Sequence, residues 1–518
     1  MPIEQEIMTP NPYESPSETN GMVVTSGSNR TLGRWLSYGG FTTASLSGCA
    51  LLFVATPQVF FGVLIGVGVS VIACLAGVGI LFADAFQKLR SVSRRSSLCL
   101  LIAVSLVNVC RAEDWPHWRG LKRDDVSSES SGWDGKAWPL KQLWKTSVGQ
   151  GSTSPIVVAN RLYTVGWSNG NDHVQCLDLT TGKPLWTMPY ECQLYGRNSE
   201  GDKGIYAGVC STPEFDSGTG LLHTLSIDGD LHAWDTQKQG RRVWSLNLYD
   251  RYRAPKRARV NRSGRRDYGY TTSPLVHGDW VIVEVGALEG TIIAFDKRTG
   301  KQRWASQAKV AAGHTGGLVP IKVEGVPCAA VHTFEGLLVV RLDGRNAGKT
   351  VATYPWKTDF ANNIATPAAF DNNIVLTSAY NHHKIARLRI TLRGAEKVWE
   401  QDYASKVCSP VIVGGHLYWA FQKLHCLDFE TGELQWRGGN FGSPGSCIAT
   451  SDQRLIVWGK QGDLVLTETA SRSATKYVEV ASRKGLLRKD AWPHVVLSDG
   501  KLLCKDRDGN LVCLAFER

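Results

Sequence analysis

A nine-residue pattern recurs in this 518-residue chain, and it constrains the fold more than any other feature. The pattern is Asp-x-x-Thr-Gly-x-x-x-Trp, and a looser copy joins Asp235 to Trp244. Its three strict copies place the Asp, Gly and Trp at Asp178, Gly182 and Trp186, at Asp296, Gly300 and Trp304, and at Asp428, Gly432 and Trp436. The Asp is expected to bind turn amides and the Gly to supply a positive φ, so that a strand begins at once. The Trp can then lie flat against the neighbouring unit.

Most units also open alike, with Ser or Thr before Pro and then short alternating strands. The pairs are Ser154-Pro155, Thr212-Pro213, Ser273-Pro274, Thr366-Pro367 and Ser409-Pro410. Each unit therefore reads as four strands. Unit starts near residues 155, 213, 274, 318, 367, 410, 447 and 494 predict eight blades of an all-β propeller over residues 113–518.

The last unit, residues 494–516, has only three strands before the chain ends. Residues 142–146 supply a strand around Trp144 with no unit before it. Pairing the two would close the ring and hide both strand edges. The sequence therefore predicts velcro closure of the propeller.

The repeats resemble the tryptophan-docking motifs of the pyrroloquinoline-quinone-like (PQQ-like) propeller family. The stretch Asp114-Trp-Pro-His-Trp-Arg-Gly120 is similar to the opening of exported bacterial members that are related to the outer-membrane assembly lipoprotein BamB. The resemblance implies the eight-bladed fold and a periplasmic or other extracytoplasmic location. It says little about activity, because the motif is architectural.

Residues 1–112 predict a membrane module before the propeller. Residues 1–32 are polar and read as disordered, and residues 33–87 read as a transmembrane helical hairpin whose apolar part spans 36–82. Its second apolar run, 59–82, is 24 residues without a charge, enough for a helix to cross a bilayer core of about 30 Å. Residues 88–112 have a basic start and a 12-residue apolar run, as in a signal peptide or a third membrane segment. Whether they are cleaved stays open.

Two long connections, residues 187–211 and 248–272, are expected at one face of the ring, around the mouth of the central channel. The second carries eight Lys or Arg against two Asp, within a net charge of +11 for the chain. This loop is either a solvated surface or a site for an acidic partner. The predicted partner-binding residues of the funnel and the basic loop are Tyr206, Arg257, Arg259, Arg262, Arg265, Arg266, Tyr270, His314, Asn363, Lys406 and Trp492.

Signals for specific chemistry are weak. Residues 344–350 approach a P-loop but are one residue short, so a blade turn is the better interpretation. Adjacent His382 and His383 would point to opposite faces of a strand and are interpreted as a loop tip. Cys504 with Cys513, and Cys192 with Cys210, could form disulfides in an oxidising compartment. The basic loop lacks interleaved aromatic residues, which argues against nucleic acid.

The sequence favours a protein-binding scaffold over an enzyme, with envelope proteins or an acidic partner bound at the funnel and the membrane contacted through residues 36–82. The alternative is a PQQ-dependent quinoprotein oxidoreductase. That class resembles the chain in fold, but it adds an adjacent Cys-Cys disulfide and a calcium set that map to no positions here, so no cofactor is expected. An anionic-ligand binder is the third hypothesis. No catalytic or metal residue is assigned.

Overall fold

The computed structural model describes residues 113–193, 207–254, 268–356, 358, 363–380, 382–443, 445–460 and 462–517. Within this part, the chain forms eight antiparallel sheets that follow one another as the blades of a propeller. The eight predicted blades and their order are confirmed. The predicted segments 1–32, 33–87 and 88–112 lie outside the described residues. Among the described ones, no helix has the length and apolarity needed to cross a membrane.

Blades 1 to 4 have four strands each, ordered from the channel outward as they occur along the chain. Their strands are β2 (Ile156–Val158), β3 (Arg161–Ser168), β4 (Asn171–Asp178) and β5 (Pro184–Glu191); β6 (Glu214–Asp216), β7 (Leu221–Leu225), β8 (Asp230–Asp235) and β9 (Arg241–Asn247); β10 (Leu275–His277), β11 (Trp280–Glu284), β12 (Ile292–Asp296) and β13 (Gln302–Ala305); and β14 (Val319–Val323), β15 (Val326–Thr333), β16 (Gly336–Arg341) and β17 (Thr350–Pro355).

Blades 5 to 7 repeat this order. Their strands are β18 (Ala368–Phe370), β19 (Asn373–Ser378), β20 (Lys384–Thr391) and β21 (Gly394–Gln401); β22 (Val411–Val413), β23 (His416–Asp428) and β24 (Leu434–Gly442); and β25 (Gly445–Ala449), β26 (Arg454–Gly459), β27 (Asp463–Glu468) and β28 (Glu479–Arg483). In blade 6, β23 folds back at Gln422, whose φ is +58°. The rings of Trp419 and His425 consequently stack 4.7 Å apart, and β23 fills the second and third strand positions.

The last blade closes the ring as predicted. It contains β29 (Val496–Ser498), β30 (Lys501–Lys505) and β31 (Asn510–Phe516), and its outer strand is β1 (Leu140–Ser147) from the start of the propeller. β1 and β31 pair antiparallel from Leu140 opposite Phe516 to Ser147 opposite Asn510. Because the first and last strands share one sheet, the ring has no free end at this seam.

The repeat motif forms a docking layer between blades. The Oδ1 of Asp178 accepts hydrogen bonds from the amide and hydroxyl of Thr181 at 2.8 and 2.9 Å, and Gly182 has a φ of +69°. The indole of Trp144, from the preceding blade, lies on Gly182 and donates from Nε1 to the carbonyl of Leu179 at 2.9 Å. Corresponding contacts place Trp186 on Gly240, Trp244 on Gly300, Trp304 on Gly348 and Trp399 on Gly432. The predicted role of the Trp is therefore confirmed.

Regular helix is scarce in the described chain. The helix α1 (Leu248–Tyr252) begins after Asn247, whose side chain accepts a hydrogen bond from the amide of Asp250. Two 3-10 turns, Thr236–Lys238 and Gly344–Asn346, join strands within blades. The P-loop-like stretch is thus a blade turn, as predicted.

Candidate functional site

The wall of the central channel begins at the Ser/Thr-Pro pairs that open the blades. The amide of Ser154 donates to the hydroxyl of Thr212 at 3.0 Å, and the amide of Thr212 donates to the hydroxyl of Ser273 at 2.9 Å. The amide of His494, at the start of the last blade, donates to the hydroxyl of Ser154 at 2.7 Å. These buried hydroxyls link successive blades around the channel and satisfy amides that no sheet pairs. The Ser/Thr-Pro pairs are visible in the sequence, but the hydrogen bonds that join them from blade to blade are not.

Chain direction defines the two ends of the channel. The chain passes from the outer strand of each blade to the innermost strand of the next blade. We call the end of the channel at which the innermost strands begin the mouth end. These strands finish at the opposite end, which we call the floor end. Both long connections that the sequence singled out join an outer strand to the next innermost strand, so they leave from the mouth end.

Residues 113–131, here called the plug segment, cross the floor end. Trp115 exchanges two backbone hydrogen bonds with Val157 of blade 1, at 2.8 and 2.9 Å. The amide of Ser127 donates to the carbonyl of Ala449 in blade 7 at 2.9 Å, and the hydroxyl of Ser498 in blade 8 donates to the carbonyl of Glu113 at 2.6 Å. One short segment therefore fastens blades on several sides of the ring.

Arg119 is the buried centre of the plug segment, with 2% of its surface exposed. Its Nε pairs with the carboxylate of Asp125, its Nη1 donates to the carbonyl of Pro367 at 3.1 Å, and its Nη2 donates to the carbonyl of Pro410. Burial raises the pKa of Asp125, but the charge of Arg119 and the hydrogen bonds from His494 and Arg119 outweigh burial and lower it overall. The carboxylate is therefore ionised although it is fully buried.

A second buried ion pair ties the plug segment to blade 2. The guanidinium of Arg123 pairs with Glu214, and Nδ1 of His117 lies 3.1 Å from the other oxygen of the same carboxylate. Glu214 also accepts a hydrogen bond from the amide of Val276 in blade 3 at 2.8 Å. Burial alone would raise the pKa of Glu214, but Arg123 and His117 hold it at about 2.

A cavity of about 80 Å³ lies between the plug segment and the mouth end. Most of its lining residues stand just before innermost strands, and Trp118 of the plug segment closes it below. The described lining consists of Trp118, Ser152, Cys210, Tyr268, Thr271, His314, Gly316, Ile364, Val407, Trp492 and His494. These side chains are mainly aromatic or apolar, and none of them is Lys or Arg.

Trp118 is held in place from three sides. Its Nε1 donates to the hydroxyl of Thr366 at 3.0 Å, and its ring centroid lies 4.2 Å from that of His494. Its indole rests on Gly316 and Gly317, where a Cβ would come within 2.6 Å of the ring. Only glycine permits this approach, so the floor of the cavity is rigidly placed.

His314 owes its place to a buried carboxylate. Glu284 accepts from the amide of Gly313 at 2.9 Å and from the hydroxyl of Thr272 at 2.6 Å, and so fixes the backbone beside His314. The rings of Tyr268 and His314 meet edge to face with centroids 5.0 Å apart. This pair forms one wall of the cavity.

The structure brings together some of the predicted site residues and separates others. His314 and Trp492 line the cavity. Tyr270 is buried among the blades, where its ring lies 4.9 Å from that of Tyr249. Asn363 is also buried, and its Nδ2 donates to the carbonyl of Thr333 at 2.6 Å. The ammonium of Lys406 lies 5.3 Å from the ring centroid of Tyr380, outside the cavity lining.

The remaining predicted contacts lie outside the described residues. They are Tyr206, Arg257, Arg259, Arg262, Arg265 and Arg266. Sequence reasoning missed Trp118 and His494 as residues that line the cavity. The signal for Trp118 was present in the opening stretch 114–120, but it served there only as a mark of family resemblance.

The cysteines among the described residues form no disulfide. Neither suggested disulfide, Cys504 with Cys513 or Cys192 with Cys210, is formed. Cys504 lies opposite Val512 rather than Cys513, because the hairpin register offsets the two by one residue. The thiol of Cys447 instead contacts that of Cys408 in the preceding blade, and this hydrogen bond, together with burial, raises the pKa of Cys447.

Together, the docking layer, the closing blade and the channel define an eight-bladed propeller built from PQQ-like repeats. A family model described as outer membrane protein assembly factor BamB matches residues 170–438, and the chain belongs to that PQQ-like propeller family.

Similar proteins fall into two groups. BamB of Burkholderia pseudomallei (strain K96243) is 22% identical over 62% of this chain and 74% of its own length. The dehydrogenase subunit of a quinone alcohol dehydrogenase from Gluconobacter oxydans (strain 621H) is 30% identical over 35% of this chain, but the match spans 22% of that protein. The crystal structure of BamB from Moraxella catarrhalis has a TM-score of 0.51 at 14% identity, covering 73% of this chain and all of that one.

Proposed function

We propose that this chain is an exported, membrane-tethered propeller that binds proteins at the mouth end of its channel, as a scaffold in envelope or outer-membrane protein assembly. The observation that carries the proposal is the plug segment, which occupies the floor end. A partner therefore meets the channel from the mouth end, where both long connections leave the ring. The likeness to BamB proteins supports assembly as the setting. The predicted segments 36–82 supply the tether.

The basic connection within 248–272 gives the partner its expected charge. Eight basic side chains against two acidic ones should attract an acidic surface, speed its association and make binding sensitive to salt. At about 0.15 M salt, such attraction is screened over about 8 Å.

The test is to replace Arg257, Arg259, Arg262, Arg265 and Arg266 together by Gln in the full chain. Capture of envelope proteins should weaken, mainly at low salt, while the melting temperature stays nearly constant because exposed charges contribute about 0–1 kcal/mol per pair. Replacing the five exposed basic residues Lys183, Lys301, Arg393, Lys423 and Lys484, which lie on blades elsewhere, is the matched control. Unchanged capture at every salt concentration would refute the role of this loop.

A quinone-linked oxidoreductase is the second candidate, favoured by the likeness to the quinone alcohol dehydrogenase. PQQ carries several carboxylates, yet the described cavity lining has no Lys or Arg to receive them. Among the described residues, no group of three His, Cys, Asp or Glu is placed to hold a metal ion. The described cavity residues therefore do not fit PQQ with calcium. They also offer no cation to an anionic ligand, so a site for such a ligand would depend on the basic loop. Saturable binding of PQQ with calcium to the full chain would favour the enzyme over the scaffold.

A further inference from the structure

His494 presents a buried polar atom to a cavity whose described lining is mainly aromatic and apolar. His494 is 2% exposed and lines the cavity. Its Nε2 is buried and has no hydrogen-bond partner among the described residues. A buried polar nitrogen without a partner is costly unless something that enters the cavity satisfies it.

The other ring nitrogen decides what Nε2 can accept. Nδ1 of His494 lies 3.4 Å from Oδ1 of Asp125, and the second oxygen of that carboxylate is paired with Arg119. Since an ionised carboxylate can only accept hydrogen bonds, the proton of a neutral His494 is held on Nδ1. Nε2 then faces the cavity as an acceptor. The complementary group is an O–H or N–H donor.

The walls and the size define the rest of the ligand. Trp118, Trp492, Tyr268 and His314 surround the space with aromatic rings, and aromatic surfaces favour a flat, apolar partner. The volume of about 80 Å³ is roughly half of the ~150 Å³ cavity that holds a whole benzene molecule. One ring that enters from the mouth end, with part of it remaining in the mouth, fits better than a larger free ligand.

We propose that this cavity binds the ring of a phenol, whose hydroxyl donates a hydrogen bond to Nε2 of His494. A phenol combines a hydroxyl donor with an apolar ring, which matches the acceptor Nε2 of His494 beside the aromatic rings of the cavity lining. This inference rests on the proposed scaffold function for the source of the phenol, a tyrosine side chain of the bound partner. The same chemistry could come from a free phenol, and the experiment separates the two.

The experiment compares p-cresol with toluene, which has the same shape without the hydroxyl, on the full chain by titration of tryptophan fluorescence. Wild-type protein should bind p-cresol about three- to tenfold more tightly, the range expected for one hydrogen bond. His494→Phe should remove this preference while toluene still binds. His416→Phe, at the start of β23 in blade 6 and outside the cavity lining, should retain it. Equal binding of the two probes to wild-type protein, or an unchanged preference in His494→Phe, would overturn the proposal.

A second measurement does not depend on a variant that folds. In protein labelled with ¹⁵N-histidine, p-cresol should shift the Nε2 resonance of His494, and toluene should leave it nearly in place. A resonance unmoved by saturating p-cresol would contradict the hydrogen bond.

The source of the phenol is tested with N-acetyl-tyrosinamide against N-acetyl-phenylalaninamide. A preference for the tyrosine derivative supports a tyrosine side chain of the partner as the source. If p-cresol binds but the tyrosine derivative is not preferred, the site is assigned to a free phenol. Capture of envelope proteins by His494→Phe keeps the two proposals apart. Undiminished capture by His494→Phe would be compatible with the scaffold function and would reject insertion of a partner tyrosine. Loss of capture by the arginine variant tests the scaffold function alone and gives no information on phenol binding.

Discussion

The docking layer and the plug segment hold the same ring together by opposite means. The docking layer repeats one neutral contact, a Trp ring on a left-handed Gly turn, from blade to blade. The plug segment is used once and depends on two buried ion pairs, Arg119 with Asp125 and Arg123 with Glu214. Repetition distributes stability over many similar contacts, whereas the plug segment concentrates it on a few charges whose loss leaves a partner buried.

The largest expected effect comes from breaking the ring itself. Deleting β1 (Leu140–Ser147) removes the outer strand of the closing blade and exposes the edge of β31. We expect aggregation and loss of the cooperative melting transition, measured by size-exclusion chromatography and circular dichroism. Leu143→Ser, at a half-exposed position of the same strand, should remain monomeric and folded. A soluble deletion product that melts like the parent would contradict the velcro seam.

Next in size is the loss of Arg119. Arg119→Met leaves the carboxylate of Asp125 buried without its cation, and it leaves the carbonyls of Pro367 and Pro410 without their donor. Removing one member of a buried pair costs about 3–5 kcal/mol. The free energy of unfolding should fall by that amount in chemical denaturation. The double variant with Asp125→Asn should recover part of the loss, and a cost of the single variant below about 1 kcal/mol would show that the plug segment does not stabilise the ring.

The two regions also differ in how far the sequence foretold them. The docking layer was predictable because Asp178, Gly182 and Trp186 form a turn through local contacts at a fixed spacing. The same spacing recurs in other blades, which makes the motif recognisable in the sequence. The plug segment was not, since Arg119 meets Pro367 and Pro410 hundreds of positions away, and no spacing encodes such a contact. For the cavity, His314 and Trp492 were found because they stand just before innermost strands. Tyr270 occupies a similar position, but its ring is buried between blades, where it packs against Tyr249.

Acid should weaken the plug segment before it affects the neutral Trp contacts. The pKa of Glu214 is lowered to about 2 in the folded protein from an ordinary 4.5, so its contribution is fully present above pH 4.5 and is lost as the pH falls toward 2. That shift corresponds to about 3 kcal/mol. Denaturation followed from pH 6 to 2 should show Glu214→Gln less stable than wild type at pH 6, with the difference shrinking through this window. A constant difference would mean that Arg123 and His117 do not stabilise the charge.

The smallest effect should distinguish the Trp contact from the turn beneath it. Gly182 and Gly170 both have left-handed backbones, with φ of +69° and +80°. A Cβ on Gly182 would lie 2.5 Å from the indole of Trp144, whereas a Cβ on Gly170 would meet nothing within 4 Å. Gly170→Ala therefore reports backbone strain alone, and Gly182→Ala adds displacement of the Trp, which should cost a further 1–3 kcal/mol, roughly the penalty for overpacking a core. Thermal melting of the two variants measures the difference. Equal melting temperatures would mean that Trp144 moves off the turn without cost, and the docking layer would then owe its stability to sheet pairing rather than to the repeated Trp.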